Sequence, residues 1–152
     1  MPYRAVLAFP LAATLALAGC VFLIPDTEFD PANPLDHDRG RILDTDRGVA
    51  TARSRLDEAL RNEKGAAAVM ARLTPLDYRC IPEHSGLVRC RYANHLKWGV
   101  YFSAQRHRFD YEAEIDPEKG PGKVRRLCVT ITLRESTSAQ PPQAPTTRCD
   151  PQ

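Results

Sequence analysis

Three kinds of side chain in this sequence have the chemistry for a catalytic or metal site: clustered carboxylates, dispersed histidines and five cysteines. The carboxylate clusters are Asp36-His37-Asp38 and Asp44-Thr45-Asp46, which combine the oxygen and nitrogen ligands that metals use. Both stand in or beside a proline-rich stretch, where nothing would hold a coordination geometry. We therefore interpret both as solvated turns, and we predict no metal and no cofactor.

A possible acid–base pair is Glu112 with Glu114, which strand periodicity places on one face about 7 Å apart. Cross-strand charge pairs with arginines of the same polar faces explain these glutamates better. Those arginines are Arg106, Arg108, Arg126 and Arg134. His84, His95 and His107 are far apart, and no G-x-S-x-G, H-E-x-x-H or phosphate-loop motif is present. We predict that the protein is not an enzyme.

The most specific motif is Leu17-Ala18-Gly19-Cys20, which follows one basic residue and a charge-free run over residues 5–18, as in a secretory signal. A proline interrupts the run, which is also shorter than the ~20 apolar residues of a membrane-spanning helix. The motif resembles the lipobox of bacterial lipoproteins. The resemblance implies a signal peptide over residues 1–19, cleavage before Cys20, and an N-terminus acylated there with fatty acids such as palmitate.

The residues directly after the acylated cysteine indicate which membrane would hold the lipid anchor. In many Gram-negative lipoproteins an acidic residue directly after this cysteine keeps the protein in the inner membrane, whereas Val21 and Phe22 stand here. For a Gram-negative host, the resemblance therefore implies an anchor in the outer membrane with the domain facing the periplasm. Prolines among aspartates predict that residues 20–40 form a lipid-anchored flexible linker.

Removing residues 1–19 from the 152-residue chain leaves 133, which suit one domain with one core. The formal net charge of the whole chain is only +2, so no broad basic surface for nucleic acid is expected. Four cysteines remain besides Cys20, an even number typical of disulfides in an oxidising compartment, and no CxxC pair suggests zinc. Of the three possible pairings, we favour Cys80–Cys90 and Cys128–Cys149.

Hydrophobic periodicity divides the domain, residues 41–134, into helices followed by strands. A three- and four-residue spacing over 44–73, broken at Gly65, predicts two helices, the second over 66–73. After Pro75 the apolar residues alternate with polar ones, a period of two that is typical of strands. Strands are predicted over 76–81, 87–93, 98–104, 107–115 and 127–133. The predicted fold class is α+β, with one or two N-terminal helices packed on a four- to five-stranded antiparallel meander, and two disulfides.

The tail, residues 135–152, is rich in Ser, Thr, Pro and Gln, a composition typical of disorder. Cys128 lies on the polar face of the last predicted strand. A bond from Cys128 to Cys149 would therefore fold the tail back over the sheet. Each disulfide is expected to stabilise the domain by roughly 3 kcal/mol.

The order of these elements resembles that of small periplasmic domains of the outer-membrane assembly lipoprotein and β-lactamase-inhibitor type. The segments that carry the resemblance are Gly65 before a helix, Asp77-Tyr78-Arg79-Cys80, Val88-Arg89-Cys90 and the strands after them. They cover about half of the chain, and the Gly-Met pair that opens the helix in many such domains is Gly65-Ala66 here. The resemblance implies a helix pair on an antiparallel sheet and a role in binding other proteins.

A basic cluster with aromatic neighbours is the candidate binding surface, because Arg, Trp and Tyr are enriched at interface hot spots. Its basic residues are Arg89, Arg91, Lys97, Arg106 and Arg108. Trp98 itself is assigned to the core. Anionic lipid or peptidoglycan would suit the arginines equally well.

The sequence thus predicts an outer-membrane lipoprotein that acts as a non-catalytic periplasmic protein-binding module in envelope assembly or maintenance. Its partners would be the membrane, through the lipid anchor, and a protein of the envelope, with no nucleic acid. The alternative is an inhibitor or immunity protein against a periplasmic hydrolase or a secreted toxin. Neither hypothesis specifies an oligomeric state.

Overall fold

The computed structural model describes residues 29–98, 105–136 and 143–150. Within these residues, three helices precede five strands, so the predicted α+β fold class is confirmed. The helices are α1 (Arg39–Asp44), α2 (Asp46–Ala59) and α3 (Ala66–Leu73). The strands are β1 (Arg79–Pro82), β2 (Val88–Trp98), β3 (Gln105–Ile115), β4 (Val124–Ser136) and β5 (Thr146–Cys149).

The five strands form one antiparallel meander in the order β1-β2-β3-β4-β5. Alternate residues of β2, β3 and β4 are buried, as the period-two pattern predicts for a sheet with one covered face. We call the covered side the inner face. Its buried residues are Val88, Cys90, Tyr92, Asn94, Leu96, Phe109, Tyr111, Ala113, Ile115, Leu127, Val129 and Ile131.

The helices supply the other half of the core. Val49, Ala52 and Leu56 recur along one side of α2 and are fully buried, as their spacing predicts. The second of the two predicted helices is α3, and it has the predicted bounds. It begins after Gly65, whose φ of 81° lies in the left-handed region. The side chains of α2 and α3 and the inner face of the sheet belong to one hydrophobic cluster.

Both predicted disulfides are present and join residues that are directly opposite each other on neighbouring strands. Cys80 pairs with Cys90 between β1 and β2, and Cys128 pairs with Cys149 between β4 and β5. The tail is therefore tied back to the sheet as predicted, with residues 146–149 forming its fifth strand.

Two further contacts hold β5 from the helix side. Arg148 donates to an Asp46 carboxylate oxygen at 2.9 Å. The buried carboxylate of Asp150 accepts a hydrogen bond from the backbone N–H of Leu127 at 2.7 Å and one from Arg53 at 2.8 Å. The polar segment that contains β5 is thus held to the domain by one disulfide and two ion pairs.

Several strand boundaries differ from the prediction. β1 begins at Arg79 instead of residue 76, because Thr74–Leu76 forms a short 3-10 helix, and β4 extends over Val124–Ser136. The largest difference is at position 98. β2 continues without a break to Trp98, which pairs with Gln105 of β3, so no separate strand begins at position 98. Residues 99–104, the rest of that predicted strand, lie outside the described residues. The break in apolar alternation at Asn94 explains the difference, since this inward-facing amide donates a hydrogen bond to the Asp36 carboxylate instead of facing solvent.

The prediction of a flexible linker over residues 20–40 is wrong for residues 29–40, which pack onto the domain. Six of them are buried: Asn33, Pro34, Leu35, Asp36, Asp38 and Arg39. The physical reason is that buried polar groups of the sheet and helices provide hydrogen-bond partners for this segment. Residues 20–28, with the predicted acylation site Cys20, lie outside the described residues. Among the helices described, none has the length and apolar character to cross a bilayer.

Asp36 is the centre of this packing. Its carboxylate accepts hydrogen bonds from the Tyr92 hydroxyl at 2.9 Å, from the Asn94 amide and from the backbone N–H of Asp30 at 2.8 Å. The neighbouring Arg39 guanidinium donates to the carbonyl oxygen of His95 on β2. The start of the domain is therefore fixed to the middle of β2 by ionised groups that have partners on several sides.

Candidate functional site

The side of the sheet opposite the described helices carries the predicted binding residues, and we call it the open face. Its positions follow from strand alternation and register. They are Arg79, Ile81, Arg89, Arg91, Ala93, His95, Lys97, Arg106, Arg108, Asp110, Glu112, Glu114, Arg126, Cys128, Thr130, Thr132, Thr147 and Cys149.

All five predicted binding residues lie on this face, on two neighbouring strands. Arg89, Arg91 and Lys97 are alternate positions of β2, and Arg106 and Arg108 are alternate positions of β3. In the antiparallel register Lys97 is opposite Arg106. Among the open-face positions named above, seven basic and three acidic side chains leave a formal excess of four positive charges, whereas the whole chain has an excess of two.

Ion pairs neutralise one part of the open face. Glu112 accepts from Arg91 at 3.1 Å and lies 3.8 Å from Arg89, which also pairs with Glu83 at 2.8 Å. These are cross-strand charge pairs, but the partners of Glu112 are the arginines of β2 and not the four that the sequence suggested, Arg106, Arg108, Arg126 and Arg134. Because two guanidinium groups hold Glu112, its arrangement with Glu114 does not resemble a general acid–base pair.

Arg108 has its own carboxylate partner on the same strand. Its guanidinium donates to both oxygens of Asp110, with the shortest contact at 2.7 Å. These hydrogen bonds, with the attraction between the two charges, raise the pKa of Arg108 above its ordinary value. Arg108 therefore remains charged and is held in a fixed orientation over the sheet.

A depression with a volume of about 740 Å³ opens in the middle of this face. Ala93 lies within it, and Arg79, Arg91 and Arg108 line it with longer side chains. Because an alanine is surrounded by arginines, its small side chain leaves space at the centre of the charged surface. Arg79 and Arg91 are directly opposite each other in the register of β1 and β2.

The histidines are not brought together by the fold. His84 is exposed in the turn between β1 and β2. His95 is on the open face, and His107 is half-buried on the inner face, where burial lowers its pKa from the usual 6.5. No pair of these three therefore forms an acid–base constellation.

The carboxylate cluster at Asp36-His37-Asp38 is not the solvated turn that the sequence suggested. Asp36 and Asp38 are 3% and 1% exposed. Their oxygens accept hydrogen bonds from protein donors, among them Arg55, which lies 2.7 Å from Asp38. Across the described parts of the chain, no group of three or more histidine, cysteine or acidic side chains is arranged to hold a metal ion.

Sequence reasoning did not find the row of tyrosines behind the open face. The rings of Tyr78 and Tyr92 stack at 4.7 Å between centroids, and those of Tyr92 and Tyr111 at 5.8 Å. Tyr92, which the sequence places beside the basic cluster, is turned to the inner face. Burial, with the negative charge of Asp36 as a further cause, raises the pKa of all three hydroxyls well above 10.

Comparison with known proteins gives no relative from which a role could be taken. The chain matches no family model, no curated protein and no solved structure. The chemistry available to this protein is therefore that of its own residues, a positively charged and partly ion-paired sheet face with a depression at Ala93.

Proposed function

We propose that this protein is an outer-membrane lipoprotein, anchored through acylated Cys20, whose periplasmic domain binds another envelope protein without catalysing a reaction. The single observation that supports the binding role best is the open face. It carries all five predicted basic residues and an excess of four positive charges, and the described helices pack on the other side. The resemblance of Leu17-Ala18-Gly19-Cys20 to a lipobox supports the anchor.

The arrangement of the titratable groups favours binding over catalysis. General acid–base chemistry needs groups that can gain and lose protons within hydrogen-bond reach of a substrate. On the open face, Glu112 is instead held by two arginines and Asp110 by Arg108. Such pairs fix side chains and present charge, which suits recognition and steering of a charged partner.

The alternative, an inhibitor or immunity protein against a periplasmic hydrolase or a secreted toxin, is supported by the two disulfides. They join β1 to β2 and β4 to β5, on either side of the central strand β3. Cross-links at both edges restrain the sheet before a partner arrives. A surface rigid in its bound conformation binds with a smaller entropic cost, which is an advantage for an inhibitor.

Crosslinking in intact cells, followed by affinity capture of the lipidated protein, tests the function and separates the alternatives. The accessory role predicts a stoichiometric resident protein of the envelope, and the inhibitor role predicts a hydrolase or a toxin. Recovery of the protein alone would contradict both hypotheses. As a control for the anchor, a Cys20→Ser variant should be found in the soluble periplasmic fraction; continued membrane association of that variant would contradict lipidation at Cys20.

A further inference from the structure

We propose that the depression at Ala93 is a docking site for an acidic polypeptide segment of the partner protein. This inference rests on the proposed function, because it names the chemistry of a partner that the open face would bind. The depression lies where β1, β2, β3, β4 and β5 each contribute side chains, so its shape depends on the complete sheet. With a volume of about 740 Å³, it is open to solvent and has room for side chains of a partner.

Two like charges lie opposite each other at the rim of the depression. Arg79 and Arg91 are opposite each other on neighbouring strands, and both are exposed. Like charges in directly opposed positions destabilise a sheet unless an anion lies between them or beside them. Glu112 balances Arg91 from the β3 side, whereas Arg79 makes no ion pair with any residue that the structure describes. A carboxylate of the partner would supply the missing charge.

The depression contains both hydrogen-bond donors and hydrogen-bond acceptors. Arg79, Arg91 and Arg108 provide charged donors, and Thr130 and Thr147 provide hydroxyl groups that donate or accept. Asp77, Asp110 and Glu112 also line the depression. The three arginines and the three carboxylates balance in formal charge, so a bare phosphate anion, which offers acceptors alone, would leave the carboxylates without donors. An acidic peptide also carries backbone N–H groups, which such carboxylates accept.

The side chains around the depression are held in place before a partner binds. Arg108 is held by Asp110, and Arg91 by Glu112. The Cys128–Cys149 disulfide crosses the open face between β4 and β5, and Cys128 lines the depression. Binding would therefore immobilise mainly Arg79, so little side-chain entropy is lost.

The test measures peptide binding to the purified lipidated protein in neutral detergent. The probe is a fluorescein-labelled octapeptide of glutamates, and the matched neutral probe is the corresponding glutamine peptide. The variants are Arg79→Ser, which removes an exposed side chain without a described ion pair, and Ala93→Glu, which fills the depression with a carboxylate. The control variant is Arg72→Ser, an exposed arginine on α3.

We expect the glutamate peptide to bind and the glutamine peptide to bind much more weakly. Loss of one charge-assisted hydrogen bond at Arg79 should weaken binding about tenfold, and Ala93→Glu should abolish it. Arg72→Ser should bind like the unchanged protein. Raising the salt concentration to about 0.5 M should weaken binding, because the Debye length falls below the size of the site.

Three results would overturn the docking site. The first is equal binding of the glutamate peptide to all variants, which would place the interaction elsewhere. The second is that inorganic phosphate, or vesicles containing phosphatidylglycerol, bind with this dependence on Arg79 and Ala93 while the peptide does not. The third is the absence of any peptide binding. None of these results affects the capture experiment in cells, so failure of the docking site and failure of the proposed function are distinguishable.

Discussion

At the residue scale, Asp36 shows what a local pattern cannot reveal. A carboxylate two residues after a proline, in a stretch of prolines and aspartates, is typical of a solvated turn, and its sequence neighbours give no other indication. Its main partners, Tyr92 and Asn94, are 56 and 58 residues away along the chain. Burial of Asp36 therefore depends on a meeting of distant segments, which periodicity and composition do not encode.

Replacing Asp36 with alanine should strongly destabilise the protein. The change leaves the Tyr92 hydroxyl and the Asn94 amide without their acceptor in a buried environment, so the free energy of unfolding should fall by about 3 kcal/mol. Urea unfolding followed by circular dichroism measures the loss. Asp44→Ala, which removes an exposed carboxylate at the end of α1, is the control and should change stability by less than about 0.5 kcal/mol. Similar losses for the two variants would contradict the role of Asp36.

His107 should make the domain less stable in mild acid. Burial lowers its pKa in the folded state, so below pH 6.5 the unfolded chain binds the proton more readily. The free energy of unfolding should therefore fall as the pH decreases from about 7 through the lowered pKa. Urea unfolding at pH 7.5 and pH 5 measures this change, which should become smaller in His107→Gln. The exposed His84→Gln serves as the control; an equal effect of both substitutions would be the contradicting result.

At the element scale, the predictions succeeded where the periodicity was strong. α2, α3, β3 and β4 follow from three-to-four and alternating patterns, and the favoured Cys80–Cys90 pairing agrees with the register of β1 on β2. β5 has the polar sequence Thr146-Thr147-Arg148-Cys149, which carries no apolar alternation. Its pairing comes from the disulfide and from two ion pairs with α2, so only its cysteine was visible in the sequence.

Gly48→Ala should destabilise the contact between α1 and α2, although alanine usually stabilises a helix. The usual gain is up to about 1 kcal/mol. A Cβ atom at position 48, however, would lie 2.5 Å from the backbone of Arg41 and Ile42, so the two helices must separate. We expect a net loss of about 2 kcal/mol, measured by thermal and urea unfolding. Gly120→Ala, with open space around it, is the control; a Gly48→Ala variant as stable as that control would contradict this packing.

Removing the bond between β4 and β5 should lower the free energy of unfolding by roughly 3 kcal/mol, as loop entropy predicts for this separation. The double variant Cys128→Ser with Cys149→Ser avoids a free thiol. Hydrogen exchange should show loss of protection in β5 first, because this short edge strand is then held to the domain without a covalent bond, by its pairing with β4 and by the Arg148 and Asp150 contacts. Unchanged protection of residues 146–149 would show that the disulfide does not order the tail.

At the scale of the whole molecule, the described chain enters the domain beside β2. Phe29 lies under the Arg39 guanidinium, 5.8 Å from the ring centroid, and Arg39 is bonded to His95. Under the proposed anchor, eight residues lie between Cys20 and Phe29, a reach of about 30 Å when fully extended. The open face would then stay close to the membrane, and its partner would be a protein that is itself near the bilayer.

The candidate site was predicted in part. The five basic residues were grouped by their proximity in the sequence and their aromatic neighbours, and the structure places them on one surface. Alternation alone could not have placed Lys97 and Arg106, because both lie outside the predicted strands. The depression was not predicted, because it needs Arg79 from β1, Ala93 from β2 and Thr147 from β5, which sheet order alone brings together. An alanine also carries no chemical signal in a sequence, since its contribution is the space it leaves.

The most direct test of the central claim, that the open face binds a protein of the envelope, is site-specific photocrosslinking in intact cells. A photoreactive amino acid replaces Ile81, an exposed residue of the open face beside the depression, or, in the control, Ala71, an exposed residue of α3 on the helix side. We expect one defined adduct with an envelope protein from position 81 and none from position 71. Adducts from position 71 alone, or no adduct from either position, would contradict it.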